Sequence, residues 1–168
     1  MAIELDESSI IQASSQFWEQ MLAMKLDTMA TPDEFCLGAG HVLGTVNLSG
    51  AWSGRIEIRM DEGLSHQATA TMLMQPVEAV AEADALDATK EITNMIAGVI
   101  KSSLPRPCAM TVPASQIAHE RYCGQMRDRH SVAVAFRHDS GEIMVSVLMH
   151  AAPGAEGSWG AVERTQAG

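Results

Sequence analysis

The sequence predicts an α+β fold in which an antiparallel β-sheet packs against long helices. The hydrophobic period changes from about 3.6 residues to 2 and back along the chain, and the strand-like segments cluster instead of alternating with helices. The chain has 168 residues, of which 46% are hydrophobic, and this is enough to bury one sizeable core. We therefore expect one domain over residues 1–150. The Ala-, Gly- and Ser-rich residues 151–168 are expected to form a loose tail.

The first elements are a helix and a hairpin. Apolar residues at helical spacing predict an amphipathic helix over residues 6–29, which begins near the capping-type residue Asp6. The period then shortens to two over residues 41–61, with an interruption at Ser49–Gly50, and this pattern predicts a β-hairpin.

Two further helices follow the hairpin. Residues 63–75 are expected to form a helix closed by Pro76, because proline lacks the amide proton that a helix needs. The strongest helical pattern covers residues 84–103, with Asp84 as the expected N-cap and Asp87 near the capping-box position.

Strand patterns resume after the long helix. They cover residues 109–112, 131–137 and 142–150, and Asp139–Ser140–Gly141 is a favourable turn between the last two. The sheet is therefore expected to contain segments from both ends of the domain.

The predicted helix over residues 84–103 has one apolar and one polar face at about 100° per residue. The apolar face is expected to hold Ala85, Ala88, Ile92, Ile96, Val99 and Ile100. The polar face holds Asp87, Glu91, Asn94, Gly98 and Lys101, with Lys90 at its margin. Glycine inside a helix costs roughly 1 kcal/mol relative to alanine, so Gly98 suggests a place where another molecule approaches closely.

Charge and cysteine content narrow the function. With 11 Lys and Arg against 21 Asp and Glu, the net charge is −10, which disfavours nucleic acid and anionic membranes as partners. No apolar run reaches the roughly 18 residues of a membrane span, and the first residues do not resemble a signal peptide. Cys36, Cys108 and Cys123 are odd in number and widely spaced, which does not suggest a disulfide framework, so we expect the protein to lie in the reducing cytoplasm.

The residues around the polar face resemble a known motif. The string from Glu91 to Gly98, followed by Lys101 and by Pro105–Arg106–Pro107–Cys108, resembles the central motif of the CheC/CheX/FliY family of chemotaxis phosphatases. The hairpin around 48–54 and the strand around 110–113 occur in the order of a single-site, CheX-like member. Lys90 departs from the family pattern, in which a small residue, usually glycine, precedes the glutamate.

This resemblance implies a CheX-like fold and a phosphatase of the phospho-aspartate in a CheY-type response regulator. Glu91 would pair with the regulator's invariant lysine, and Asn94 would orient the attacking water. Lys90, Gly98, Lys101 and Asp87 would contact the partner. The resemblance also implies a homodimer without a cofactor of its own, because Mg²⁺ belongs to the regulator.

Other interpretations remain open from the residues alone. Glu91 and Asn94 could be ordinary solvated residues, and the domain could be a non-catalytic CheC-like scaffold that binds a receiver or a flagellar-switch protein. Cys108, His119 and Cys123 are conceivable zinc ligands, but their spacing matches no usual zinc motif.

Overall fold

A seven-stranded antiparallel sheet and three α-helices form the molecule in the computed structural model, which describes residues 5–128 and 130–150. The helices are α1 (Glu7–Leu22), α2 (Glu62–Leu73) and α3 (Glu82–Ser102). The strands are β1 (Asp27–Thr28), β2 (Cys36–Leu37), β3 (Val42–Gly50), β4 (Gly54–Met60), β5 (Cys108–Met110), β6 (Ala114–Ile117), β7 (Tyr122–Cys123), β8 (Ser131–His138) and β9 (Gly141–Met149). The α+β fold with an antiparallel sheet is confirmed, while the expected tail over 151–168 lies outside the described residues.

The strand order of the large sheet is β1-β8-β9-β4-β3-β5, and β6 also pairs with β3. Leu48–Gly50 of β3 pair with β5, and Val42–Thr45 pair with β6. The predicted β3–β4 hairpin is confirmed. The segment after α3 extends the sheet on the other side of β3. The strand expected at 109–112 is found as β5, which begins one residue earlier and ends two residues earlier.

All three helices contribute buried side chains to the main core. Alternate residues of the central strands, such as Ile56, Ile58 and Val145, join Trp18 of α1 and Ile96 of α3 in one cluster. This core fixes α3 against the sheet and leaves its opposite face to solvent. None of the helices among the described residues is both long and apolar enough to cross a bilayer.

The first helix is shorter than the sequence pattern predicts. It begins after the N-cap Asp6, whose carboxylate accepts a hydrogen bond from the Ser9 amide at 3.0 Å, but it ends at Leu22. Ala23 then adopts a left-handed conformation (φ 52°), and the chain extends towards β1. Met24 and Leu26 are buried at alternate positions, which is a strand period that the prediction had merged with the helix.

The start of α3 also differs from the prediction. Its N-cap is Ala81, so Asp84 is the third helical residue and not the cap. The Asp84 carboxylate accepts a hydrogen bond from the Ala81 amide at 3.4 Å. Asp84 therefore still stabilises the helix start, by serving an amide that the helix itself leaves unpaired.

A second, two-stranded sheet covers part of the large sheet on the side away from the helices. Strands β2 and β7 pair antiparallel, and a small apolar cluster of Phe35, Leu37, Ala133, Ala135 and Met144 lies beneath them. Cys36 and Cys123 are directly opposed and form a disulfide, while Cys108 is free. The sequence pattern did not suggest this disulfide, because the fold brings together strands whose cysteines are 87 residues apart.

Candidate active site

The candidate site lies on α3, which sits close to the sheet because β3 has a glycine there. A side chain at Gly44 would overlap the hydroxyl of Thr93 and come within 3.1 Å of the Thr89 methyl group. Both threonines are fully buried. Their hydroxyls donate to the carbonyls of Ala85 and Thr89, each at 2.7 Å, so neither hydroxyl is left unpaired in the core.

Strand β6 provides a second connection to α3. The Ser115 hydroxyl donates a hydrogen bond of 2.8 Å to the Leu86 carbonyl of the helix. Together with the close contact of Gly44 with Thr89 and Thr93, this bond fixes the helix on the sheet both before and after Glu91.

The face of α3 opposite the sheet carries the predicted site residues. Asp87, Glu91 and Gly98 are exposed, and Lys90, Asn94 and Lys101 are partly exposed. Glu91 and Asn94 are about 4.5 Å apart along the helix axis, because each residue advances an α-helix by about 1.5 Å. Within the described residues, no hydrogen bond engages either side chain, so both are available to a partner.

The predicted apolar face is correct except at Val99, which is 39% exposed. The buried stripe instead includes Thr89, Thr93 and Ala97, and is therefore rotated towards the threonines. This rotation places Glu91 and Gly98 directly opposite the sheet.

Lys90, the residue that departs from the family pattern, pairs with Asp87 one turn earlier. Its ammonium nitrogen lies 3.0 Å from a carboxylate oxygen of Asp87, and the two side chains are 43% and 76% exposed. An ion pair this exposed contributes little stability, so a partner could rearrange it at low cost. The contact directs the Lys90 ammonium towards the helix start and away from Asn94.

Open space surrounds Gly98, since apart from its chain neighbours and the nearby backbone of its own helix no atom lies within 4 Å of the position where a Cβ would be. Beyond it, a cleft of about 770 Å³ runs between the end of α3 and β5 and is lined in part by Lys101 and Arg106. The site is thus a convex helix face continued by a concave, basic cleft.

A separate polar cluster lies on the far side of the sheet. His41 is buried, its Nδ1 is 2.8 Å from the Gly38 carbonyl, and its Nε2 is 3.2 Å from the Arg59 guanidinium. A neutral ring satisfies both contacts, with Nδ1 donating to the carbonyl and Nε2 accepting from Arg59. Burial lowers the pKa of His41 below its ordinary value of 6.5, although the Gly38 carbonyl opposes this shift. Burial also raises the pKa of Tyr122, whose ring lies under Arg59 at 4.2 Å.

The zinc interpretation of Cys108, His119 and Cys123 does not match this arrangement. Cys123 is bonded to Cys36, and Cys108 lies on β5 beside the cleft. Among the residues that the structure describes, no group of three or more His, Cys, Asp or Glu is placed to hold a metal ion.

Several residues that build the site escaped the sequence analysis. Thr89 and Thr93 were assigned to neither face, although i to i−4 hydrogen bonds allow buried threonine in a helix. The signal was present as two threonines four residues apart on one side of the helix. Gly44 and Ser115 could not be identified, because their role depends on which strands lie under α3.

The fold and the exposed Glu91–Asn94 pair define an α+β domain with a helix-borne polar site. The family described as "Chemotaxis phosphatase CheX" matches residues 42–137. Because this match covers more than half of the chain, the protein belongs to the chemotaxis phosphatase CheX family. A comparison with curated proteins finds no match.

Solved structures share the fold at low sequence identity. The chemotaxis protein CheX of Vibrio vulnificus superposes with a TM-score of 0.71 and 19% identity, covering 89% of this chain and 99% of that one. The structure of the CheX–CheY–BeF₃–Mg²⁺ complex of Borrelia burgdorferi matches with a TM-score of 0.66 and 19% identity, covering 86% of this chain and 97% of that one. FliY of Thermotoga maritima matches with a TM-score of 0.56 and 12% identity, covering 83% of this chain and 84% of that one. The expected CheC/CheX/FliY-type fold is thus confirmed.

Proposed function

We propose that this chemotaxis phosphatase hydrolyses the phospho-aspartate of a CheY-type receiver with Glu91 and Asn94 of α3. The observation that supports this assignment is that the exposed Glu91 and the partly exposed Asn94 lie on one helix face, with no hydrogen bond from either side chain to the rest of the described chain. The Borrelia burgdorferi structure, in which CheX is bound to CheY with BeF₃ and Mg²⁺, supports a receiver as the partner.

Glu91 is proposed to orient the receiver. Its exposed carboxylate would form an ion pair with the receiver's invariant lysine when α3 docks at the phosphorylation site. A charge-assisted contact of this kind fixes register as well as adding affinity.

Asn94 is proposed to orient the attacking water. A carboxamide can accept a hydrogen bond from the water and donate one to a phosphoryl oxygen at the same time. Phosphoryl transfer depends mainly on in-line positioning and charge stabilisation, so a neutral side chain is suited to this task. A carboxylate in the same place would repel the phosphoryl oxygens.

The proposal extends to the setting of the reaction. Mg²⁺ would be supplied by the receiver, so the chain would need no cofactor of its own. We also propose a homodimer and a cytoplasmic location, on the strength of the family resemblance.

The test compares the wild type with Asn94→Ala on a panel of phosphorylated receivers from the same organism. We expect the variant to lose about 10²-fold or more of the acceleration, the lower range for the loss of a positioned group in proton or water handling. Binding should be retained, because Glu91 is untouched. Affinity is measured with a receiver activated by beryllium fluoride and Mg²⁺.

Each outcome has a clear meaning. If no receiver loses its phosphoryl group faster with the wild type than spontaneously, the enzyme assignment fails and the scaffold alternative gains support. If Asn94→Ala is as active as the wild type, only the assignment of the site is wrong.

A further inference from the structure

The cleft beyond the candidate site is basic, although the whole chain is strongly acidic. Gly98, Lys101, Ser102, Arg106 and Cys108 contribute to its lining, and no described residue that lines it carries a carboxylate. Within the described residues, neither Lys101 nor Arg106 takes part in an ion pair, in contrast to Lys90. Two unneutralised cations in a chain with a net charge of −10 indicate a site for an anionic group.

The backbone that carries Arg106 is held in place. It lies between Pro105 and Pro107, and the Pro107 carbonyl accepts a hydrogen bond of 2.7 Å from the Ala51 amide. Gly50, with φ 134°, allows this approach, because a side chain there would overlap the Pro107 carbonyl oxygen. A fixed backbone loses little conformational entropy on binding, which favours a preformed site.

The cleft is continuous with the catalytic face. Gly98 follows Asn94 by one turn of the helix, and Lys101 follows Asn94 by seven residues, or about 10 Å along the helix axis. A partner docked over Asn94 would therefore place neighbouring surface against the cleft.

We infer that this cleft binds a carboxylate-bearing segment of the receiver, about 10 Å along α3 from Asn94. This inference rests on the proposed function and adds a specificity determinant to it. The Arg106 guanidinium can bind a carboxylate through two parallel hydrogen bonds, and the Lys101 ammonium adds a point charge. Such local complementarity selects a receiver that the global charge of the chain would repel.

The experiment measures the dissociation constant for a receiver that the wild type dephosphorylates, activated with beryllium fluoride and Mg²⁺. Lys101→Ala and Arg106→Ala should each weaken binding by about two- to fivefold, the range of exposed ion pairs. Lys101→Glu should weaken binding by about tenfold, since repulsion is added to the lost attraction. The KM for the phosphorylated receiver should rise in parallel, with a much smaller change in kcat.

The matched control is Lys25→Glu, which makes the same charge change. Lys25 is exposed and lies two residues before β1, at the opposite edge of the sheet from β5. It should leave the dissociation constant unchanged. The wild-type constant should also rise with added NaCl more steeply than that of Arg106→Ala, because screening weakens only the charges that remain.

The inference is overturned if the wild type is active and Lys101→Glu binds the receiver as tightly as Lys25→Glu does. An equal loss in both variants would also overturn it, because it would indicate a general charge effect. If the wild type accelerates no receiver, the proposed function fails first and this inference fails with it.

Discussion

Gly98→Ala should have opposite effects on the stability of the fold and on the affinity for the receiver. Alanine stabilises a helix interior by about 0.8–1.0 kcal/mol relative to glycine. Apart from its chain neighbours and the nearby helix backbone, nothing lies within 4 Å of the added methyl group, so no steric clash should reduce this stabilisation. In a domain of this size the melting temperature should rise by about 2–4 °C.

The same methyl group should impair activity on the receiver. If the partner's backbone fits against the bare helix at Gly98, the overlap should cost about 1–3 kcal/mol, as in other overpacked contacts. This corresponds to an affinity loss of about fivefold to more than a hundredfold. The assay pairs thermal unfolding with the binding and dephosphorylation measurements described above.

The matched control is Gly38→Ala, which adds a methyl group at another open position, on the loop after β2. It should change neither binding nor turnover. A Gly98→Ala protein that is more stable than the wild type and binds the receiver equally well would refute the idea that the glycine admits a partner.

Two further predictions concern the sheet beneath the site and the cluster on its far side. Gly44→Ala should destabilise the fold by about 1–3 kcal/mol by overlapping Thr93, and Thr93→Ala in the same chain should recover part of this loss in a double-mutant cycle of urea unfolding. An additive double variant would show that the two residues do not compete for space. Because the folded pKa of His41 lies below 6.5, the unfolded chain binds the extra proton first, and the free energy of unfolding should fall as the pH drops below that value. His41→Gln should flatten this slope between about pH 7 and 5, whereas an unchanged slope would assign the pH dependence to other groups.

The sequence predicted the elements whose period is long and regular. Helix α3 and the β3–β4 hairpin fall in this class, because each repeats its pattern over many residues. Strands β1, β2 and β7 have two residues each, too few to show any period. The end of α1 was misplaced for a related reason, since the buried positions Met24 and Leu26 fit both a helix and a strand when read alone.

The part of the site that lies on one helix could be predicted from the sequence. The spacing of Glu91 and Asn94 places them on the same polar face whatever the helix packs against. The contacts that fix this helix were not predictable, because Gly44 and Ser115 meet it only through the strand order of the sheet. The disulfide partner of Cys36 depends on the same long-range topology.

That disulfide has a topological consequence. The bond between Cys36 and Cys123 closes a loop over an 87-residue separation, which contains both strands of the hairpin and the whole of α3. In the chain-entropy description, closing a loop of this length raises the free energy of the unfolded state by about 4–5 kcal/mol, because it removes conformational entropy. A protease cut anywhere between the two cysteines would leave the fragments covalently joined in the oxidised protein, whereas the reduced protein would release them.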